Sequence, residues 1–99
     1  MDVSIIIVNY NTKKMTSDCI DSIIQHTSGI SYEIILVDND SKDGSVDFFK
    51  RDKRVFFISS NKNLGFGKAN NLGYKYSKGK YIFLLNSDTI LLNNAIKYF

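Results

Sequence analysis

The sequence has 99 residues with one cysteine, one histidine, no proline and no tryptophan. A single thiol, Cys19, excludes any disulfide within the chain, and its apolar neighbours predict a buried, inert side chain. The longest apolar runs, such as residues 5–8 and 82–85, are far shorter than the ~20 residues that a membrane span needs. We therefore expect a soluble protein of the cytoplasm, either free or held at the inner face of the membrane by a part outside this sequence.

The chain also lacks a concentration of charge of one sign. Thirteen basic and ten acidic residues give a net charge of +3, and the two signs are interspersed, as in residues 50–54. This pattern is typical of a solvated surface, so we expect no nucleic-acid partner. The length and the hydrophobic fraction of 43% fit one domain over residues 1–99, with no room for a second.

Four short runs rich in β-branched and aromatic residues predict strands. They span Val3 to Val8, Tyr32 to Val37, Val55 to Ser59 and Tyr81 to Leu85. The first, second and fourth runs are continuously apolar, which is typical of strands that are buried on both faces of a parallel sheet.

Helical periodicity separates the strands. The first helix is capped by Thr12 and ends before Gly29. Its apolar face is formed by Met15, Cys19, Ile20, Ile23 and Ile24. The second is capped by Ser45 and carries Val46, Phe48 and Phe49. The third is outlined by Ala69, Leu72 and Tyr76 and ends at Gly79, although Gly73 weakens its interior. A fourth opens at Asn93 and Asn94, and its apolar face of Ala95, Ile96 and Phe99 is left incomplete.

The resulting order βαβαβαβα predicts an α/β protein, a three-layer Rossmann-like parallel sheet with ligands bound at the carboxyl ends of its strands. All four predicted ends are polar, at residues 9–11, 38–41, 59–61 and 86–88. Taken alone, the polar residues at any one end are explained equally well by a ligand site or by the ordinary needs of turns and helix caps. Together they offer an aromatic face, carboxylates and amides, which suit a nucleotide with its metal ion.

Three other α/β nucleotide or phosphate sites fit the sequence less well. A P-loop needs Ser or Thr after Gly67 and Lys68, where the chain has Ala69. A dinucleotide-binding turn needs three glycines after the first strand, where the chain has none. A phosphoacceptor domain needs acidic residues after the first strand, where the chain has Asn9, Tyr10 and Asn11.

Four segments resemble glycosyltransferase family 2: SIIIVNYN (4–11), ILVDNDSKDGS (35–45), NKNLGFGKANNLG (61–73) and FLLNSD (83–88). The third and fourth segments are similar to those of rhamnosyltransferase-like members. This resemblance implies the nucleotide-binding half of a GT-A fold.

The resemblance also implies residue roles. Tyr10 matches the residue that packs on the nucleobase, Asn9 and Asn11 belong to its loop, and Asp38 matches the acceptor of a uracil or thymine N3–H. Asn39, Asp40 and Ser41 are expected to shape the turn. Asn63, Gly65 and Asn71 match residues around the nucleotide. Many relatives have an arginine at the position of Asn70, and here Lys68 is expected to supply that positive charge instead.

The fourth segment corresponds to an Asp-x-Asp motif. The resemblance implies that Asp88 binds Mn²⁺ or Mg²⁺ beside the diphosphate, with Asn86 and Ser87 next to the nucleotide. Because Asn86 replaces a carboxylate, the protein should bind the ion weakly without nucleotide. The alternative for Asp88 is a helix cap.

The implied reaction is an inverting hexosyl transfer from a UDP- or dTDP-sugar to a saccharide or lipid-linked acceptor. We expect the general base beyond Phe99, so the 99-residue chain should be truncated and inactive alone, and prone to self-association. His26 is better explained by the helix dipole than by catalysis. The alternative is a non-catalytic nucleotide-binding or assembly module.

Overall fold

The computed structural model describes residues 1–96 and contains seven elements. In chain order they are β1 (Val3–Asn9), α1 (Lys13–His26), β2 (Tyr32–Asn39), α2 (Ser45–Phe49), β3 (Phe56–Ser60), α3 (Phe66–Lys75) and β4 (Tyr81–Leu85). This confirms the four strands and the first three helices. Residues 93–96 form a bend and a turn, and the rest of the predicted fourth helix lies outside the described residues.

The four strands form one parallel sheet in the order β3-β2-β1-β4. The register pairs Asn9 with Asp38, Asp38 with Ser59, and Ile7 with Leu85, so all four carboxyl ends meet at one edge. From β1 the chain steps to β2 and β3 on one side and then returns to place β4 on the other side. The boundary between β1 and β4 is therefore a topological switch point, where crevices open in such sheets.

Two apolar clusters cover the two faces of the sheet. Because side chains alternate along β1, Ile5 and Ile7 join the cluster that includes α1, while Ile6 and Val8 join the cluster that includes Ala69 of α3. Phe49 of α2 lies in the first cluster. The arrangement is the predicted three-layer α/β fold.

Burial on both faces is confirmed for β1 and for most of β2, but it is wrong for β4. Tyr81 and Leu84 are 64% and 56% exposed. β4 lies at one edge of the described sheet, and α3 packs mainly against β1 and β2, which leaves part of β4 uncovered.

Both predicted cap side chains are corrected by the structure. Thr12 precedes α1, but its hydroxyl donates to Asn9 Oδ1, and the Lys13 amide donates to Asp43 Oδ2 instead. Ser45 is the first residue of α2, and its amide and hydroxyl both donate to Asp43 Oδ1. A carboxylate is the stronger acceptor, and Asp43 lies where it serves both helix starts.

Two helices also differ from their predicted extent. The predicted face of α1 is buried at Cys19, Ile20 and Ile23, but Met15 and Ile24 are nearly half exposed. α3 begins at Phe66 and ends at Lys75, before Gly79. Within residues 1–96 no helix is long and apolar enough to cross a membrane.

Candidate functional site

A cavity of about 590 Å³ opens at the carboxyl edge of the sheet, beside the switch point between β1 and β4. It is lined by residues at or after the ends of all four strands, from α1 and from the start of α3: Val8, Tyr10, Thr12, Met15, Asn39, Asn63, Gly65, Phe66, Asn86, Ser87 and Asp88. The structure therefore brings together six of the predicted site residues, which are Tyr10, Asn63, Gly65, Asn86, Ser87 and Asp88. These six come from loops after β1, β3 and β4.

Five predicted site residues do not line the cavity. Asn9 and Asp38 are fully buried at the ends of β1 and β2. Asn11 has a positive φ of 53°, and its side-chain oxygen accepts a hydrogen bond from the Lys42 amide. Lys68 and Asn71 are exposed on α3. As nucleotide contacts, all five stay predictions.

Asn39 was expected only to shape a turn, but it also lines the cavity and joins two loops. Its side-chain oxygen accepts from the Leu64 amide at 2.7 Å, and its nitrogen donates to Asn63 Oδ1 at 2.9 Å. The loop after β3 is thereby tied to the end of β2. A side chain that bridges elements 24 or more residues apart leaves no local pattern in the sequence.

Gly65 holds the turn that leads from this loop into α3. Its φ of 81° and ψ of 164° form a conformation that only glycine adopts without strain, and its amide donates to Asn63 Oδ1. A Cβ at Gly65 would meet nothing within 4 Å, so the backbone conformation rather than crowding requires glycine here.

Three large side chains of the lining remain exposed. Tyr10, Met15 and Phe66 are 48%, 47% and 58% exposed. The sequence prediction missed Phe66, Met15, Thr12 and Val8, and only the position of Phe66 between two glycines at a helix start could have suggested an exposed role. The exposed aromatic rings and the amides of Asn39 and Asn63 line the same cavity and offer a base both a flat surface and hydrogen-bond partners.

Among residues 1–96, Asp88 is the only charged residue that lines the cavity. It lies in a turn closed by a hydrogen bond from the Thr89 amide to the Asn86 carbonyl. None of the described residues donates a hydrogen bond to its carboxylate, and the part of the chain that the structure describes shows no helix after it that it could cap. The exposed carboxylate is free to bind a ligand.

Cys19 lies beneath this turn, and its thiol approaches the Asn86 carbonyl at 3.8 Å. Burial, and secondarily the negative charge of Asp88, raise the pKa of Cys19 to about 11. The thiol therefore stays protonated and unreactive at neutral pH, which confirms the buried cysteine predicted from the sequence.

The donor set at the turn suits a hard divalent cation. Asp88 supplies a carboxylate, and Asn86 and Ser87 supply neutral oxygens, the ligand type that Mg²⁺ and Mn²⁺ prefer. Across residues 1–96 no group of three or more His, Cys, Asp or Glu side chains could enclose an ion. The residues fit an ion whose remaining ligands come from phosphate and water.

A parallel sheet of this order with a cavity at its switch point is the architecture of GT-A glycosyltransferases. The chain superimposes on S. aureus TarS 1-349 in complex with UDP with a TM-score of 0.81 and 22% identity, over 99% of this chain and 30% of that one. Against the mannosyltransferase PcManGT from Pyrobaculum calidifontis, in complex with GDP-Man and Mn²⁺, the TM-score is 0.82 at 19% identity, over 93% and 29%. These likenesses establish the fold.

The model of the family described as Glycosyl transferase family 2 matches residues 4–99, and the chain belongs to that family. One similar relative is the glycosyltransferase GlyG of Streptococcus pneumoniae, 34% identical over 99 residues. The match covers 96% of this chain and 33% of GlyG, so the chain spans about a third of that relative's length.

Proposed function

We propose that this chain is the donor- and metal-binding part of a hexosyltransferase. The protein would transfer a sugar with inversion from a UDP- or dTDP-sugar to a saccharide or lipid-linked acceptor. Membership of family 2 supports the reaction class, and two structures of the same fold hold UDP and GDP-Man. The observation that carries the proposal is the single cavity that joins Tyr10 after β1 to Asp88 after β4.

The two sides of this cavity differ in chemistry. Tyr10 and Phe66 present aromatic surface near the amides of Asn39 and Asn63, and this side suits the base. Asn86, Ser87 and Asp88 form the polar turn on the β4 side, which suits the diphosphate. Because β1 and β4 are neighbouring strands, one nucleoside diphosphate can reach both sides.

The charge of the lining argues for a divalent ion. In the part of the chain that the structure describes, no Lys, Arg or His lines the cavity, while Asp88 contributes a negative charge that would repel a diphosphate. Asn70 is buried, and its side chain donates to the Phe66 carbonyl, so it brings no positive charge to the cavity. When bound, Mg²⁺ or Mn²⁺ would neutralise the diphosphate as it leaves the sugar. Asp88 would hold the ion, with Asn86 and Ser87 beside it.

We assign acceptor binding and the general base to parts of the protein outside these 99 residues. Among the described residues of the lining, Asp88 is the only carboxylate, and the proposed metal role occupies it. The 99-residue chain alone is accordingly expected to bind donor and not to transfer sugar.

The experiment is a calorimetric titration of UDP and dTDP with and without Mn²⁺, on the wild type and on Asp88→Asn. We expect the wild type to bind nucleotide at least about tenfold more tightly with the ion, because one carboxylate and the phosphates together complete its coordination shell. Asp88→Asn should lose most of this metal dependence.

The matched control is Asp47→Asn. Asp47 is an exposed carboxylate on α2 that pairs with Lys50 and does not line the cavity. This variant should respond to Mn²⁺ like the wild type. Nucleotide binding that is independent of metal in the wild type would end the assignment of Asp88 as a metal ligand.

A further inference from the structure

The fold separates charges that are interspersed along the sequence. At the edge where the four strands begin, which we call the amino edge, the loops that enter the strands carry six basic and two acidic residues. These are Lys50, Arg51, Lys53, Arg54, Lys78 and Lys80, with Asp2 and Asp52. The loops that leave the strands, residues 10–12, 40–44, 61–65 and 86–88, carry two basic and three acidic residues. The edge opposite the cavity is therefore the basic one.

Most of the cations at the amino edge have no acidic partner. Asp52 pairs with Arg54, and a carboxylate oxygen of Asp2 accepts from the Ser31 amide. Lys75, the last residue of α3, adds another positive charge to this edge. Among residues 1–96, the exposed cations of the amino edge that form no ion pair are Arg51, Lys53, Lys75, Lys78 and Lys80.

Aromatic side chains lie exposed beside these cations. They are Phe56 at the start of β3, Tyr76 after α3 and Tyr81 at the start of β4. The ring centroids of Phe56 and Tyr76 are 5.8 Å apart, and the Lys80 ammonium lies 5.6 Å from the centroid of the Tyr81 ring. Tyrosine and lysine each join an apolar body to a polar tip, a combination that favours the boundary between hydrocarbon and water.

The cations are spread over a broad face. β3 and β4 are the outer strands of the described sheet, so the loops that enter them are about 14 Å apart at the usual strand spacing. Arg51 and Lys53 belong to one of these loops, and Lys78 and Lys80 belong to the other. A groove for single-stranded nucleic acid needs cations that follow one track beside stacking rings. Cations on both sides of the edge, with aromatic rings near each, fit a plane of negative charge better.

We propose that the amino edge binds the surface of a phospholipid membrane that contains anionic lipids. The five unpaired cations contact the headgroup phosphates, and the rings of Tyr76 and Tyr81 lie at the boundary with the acyl chains. In this orientation the cavity at the opposite edge opens toward water, and Asp88 lies away from the negative lipid. The proposal does not depend on the identity of the ligand in the cavity.

The test is co-sedimentation of the 99-residue chain with vesicles of phosphatidylcholine alone or with about one third phosphatidylglycerol. The chain should bind the anionic vesicles at least about tenfold more tightly, and added salt should weaken this binding. The triple variant Lys75→Gln, Lys78→Gln, Lys80→Gln should lose at least about tenfold in affinity. Tyr76→Ser should lose about threefold, and this loss should persist at high salt because it is not electrostatic.

The matched control is the triple variant Lys14→Gln, Lys42→Gln, Lys62→Gln. It removes the same charge from exposed lysines at the start of α1 and in loops at the carboxyl edge, so its net charge equals that of the first triple variant. It should bind anionic vesicles like the wild type, and circular dichroism should show both triple variants folded.

Three outcomes would overturn the proposal. One is a wild type that does not prefer anionic vesicles. Another is an equal loss in the two triple variants, which would show attraction by net charge alone. The third is tighter binding to single-stranded RNA than to anionic vesicles, which would assign the amino edge to nucleic acid. Titration of UDP with the same proteins tests the proposed function separately, since the amino edge lies opposite the cavity.

Discussion

At the scale of single residues, Asp43 shows how one side chain organises the loops around the site. Its carboxylate accepts from the Lys13 amide at the start of α1 and from the Ser45 amide and hydroxyl at the start of α2. Because α1 carries Met15, which lines the cavity, the position of this helix affects the shape of the cavity. Asp43 thus links the loops after β1 and β2.

The titration of Asp43 gives a prediction about acid stability. Burial raises the pKa of Asp43, but the hydrogen bonds from Ser45 and from the Lys13 amide outweigh burial and hold the pKa below its ordinary value of 3.8. The stabilisation is therefore complete above that value and is lost as the pH falls through the lower pKa of the folded state. Asp43→Asn should make the free energy of unfolding fall less steeply below about pH 4.

Urea unfolding at a series of pH values checks this expectation. Asp43 accepts at the two helix starts with its two different oxygens, and the Asn side chain keeps one of them, so the variant loses one cap and should remain folded. Parallel curves for the wild type and Asp43→Asn between about pH 2 and pH 6 would show that the carboxylate contributes no acid-sensitive stability.

Sequence patterns predict the local features of the site and miss those that depend on tertiary structure. The polar ends of β1 and β4 supply Tyr10 and Asp88, and both were found because each follows a recognisable apolar run. The capping role of Asp43 was missed because its partner Lys13 is 30 residues away. The exposure of β4 was missed for a related reason: strand order decides which strand lies at an edge, and no single run encodes that order.

At the scale of elements, α3 forms one face of the molecule and packs closely on the sheet at Gly73. A Cβ at Gly73 would come within 2.7 Å of Ile6 Cγ2 and 3.2 Å of Val37 Cγ2. The glycine that weakened the prediction of this helix is therefore the residue that lets α3 approach β1 and β2.

Two glycines in α3 make a matched pair of substitutions. Gly73→Ala should lower the free energy of unfolding by about 1–3 kcal/mol, because the methyl group overpacks the core. Gly67→Ala has open space around its Cβ and should instead raise stability by about 0.5–1 kcal/mol through helix propensity. Urea denaturation measures both, and equal effects of the two substitutions would contradict the packing argument.

At the scale of the whole molecule, the sheet has an exposed apolar margin along β4. The side chains of Tyr81 and Leu84 are exposed on this edge strand. A second cavity, of about 460 Å³, adjoins the start of β4 and is lined mainly by apolar residues. Such an edge favours association with another chain.

We expect the 99-residue chain to form dimers or larger species as its concentration rises. Leu84→Lys places a charge on the edge and should shift the equilibrium toward monomer. Ile24→Lys changes an apolar residue of similar exposure on α1 and should leave association unchanged. Light scattering over a concentration series distinguishes these outcomes, and a wild type that stays monomeric throughout would refute the prediction.

The proposed function requires that the cavity between the loops after β1 and β4 binds a nucleoside diphosphate. Its most direct test is calorimetric titration of UDP and dTDP in Mn²⁺ with the wild type, Tyr10→Ala and Tyr74→Ala. Tyr74 is an exposed tyrosine on α3 that does not line the cavity. We expect the wild type and Tyr74→Ala to bind with similar affinity, and Tyr10→Ala to bind roughly threefold to tenfold more weakly because base stacking is lost. No binding by the wild type, or equal affinity in all three proteins, would contradict it.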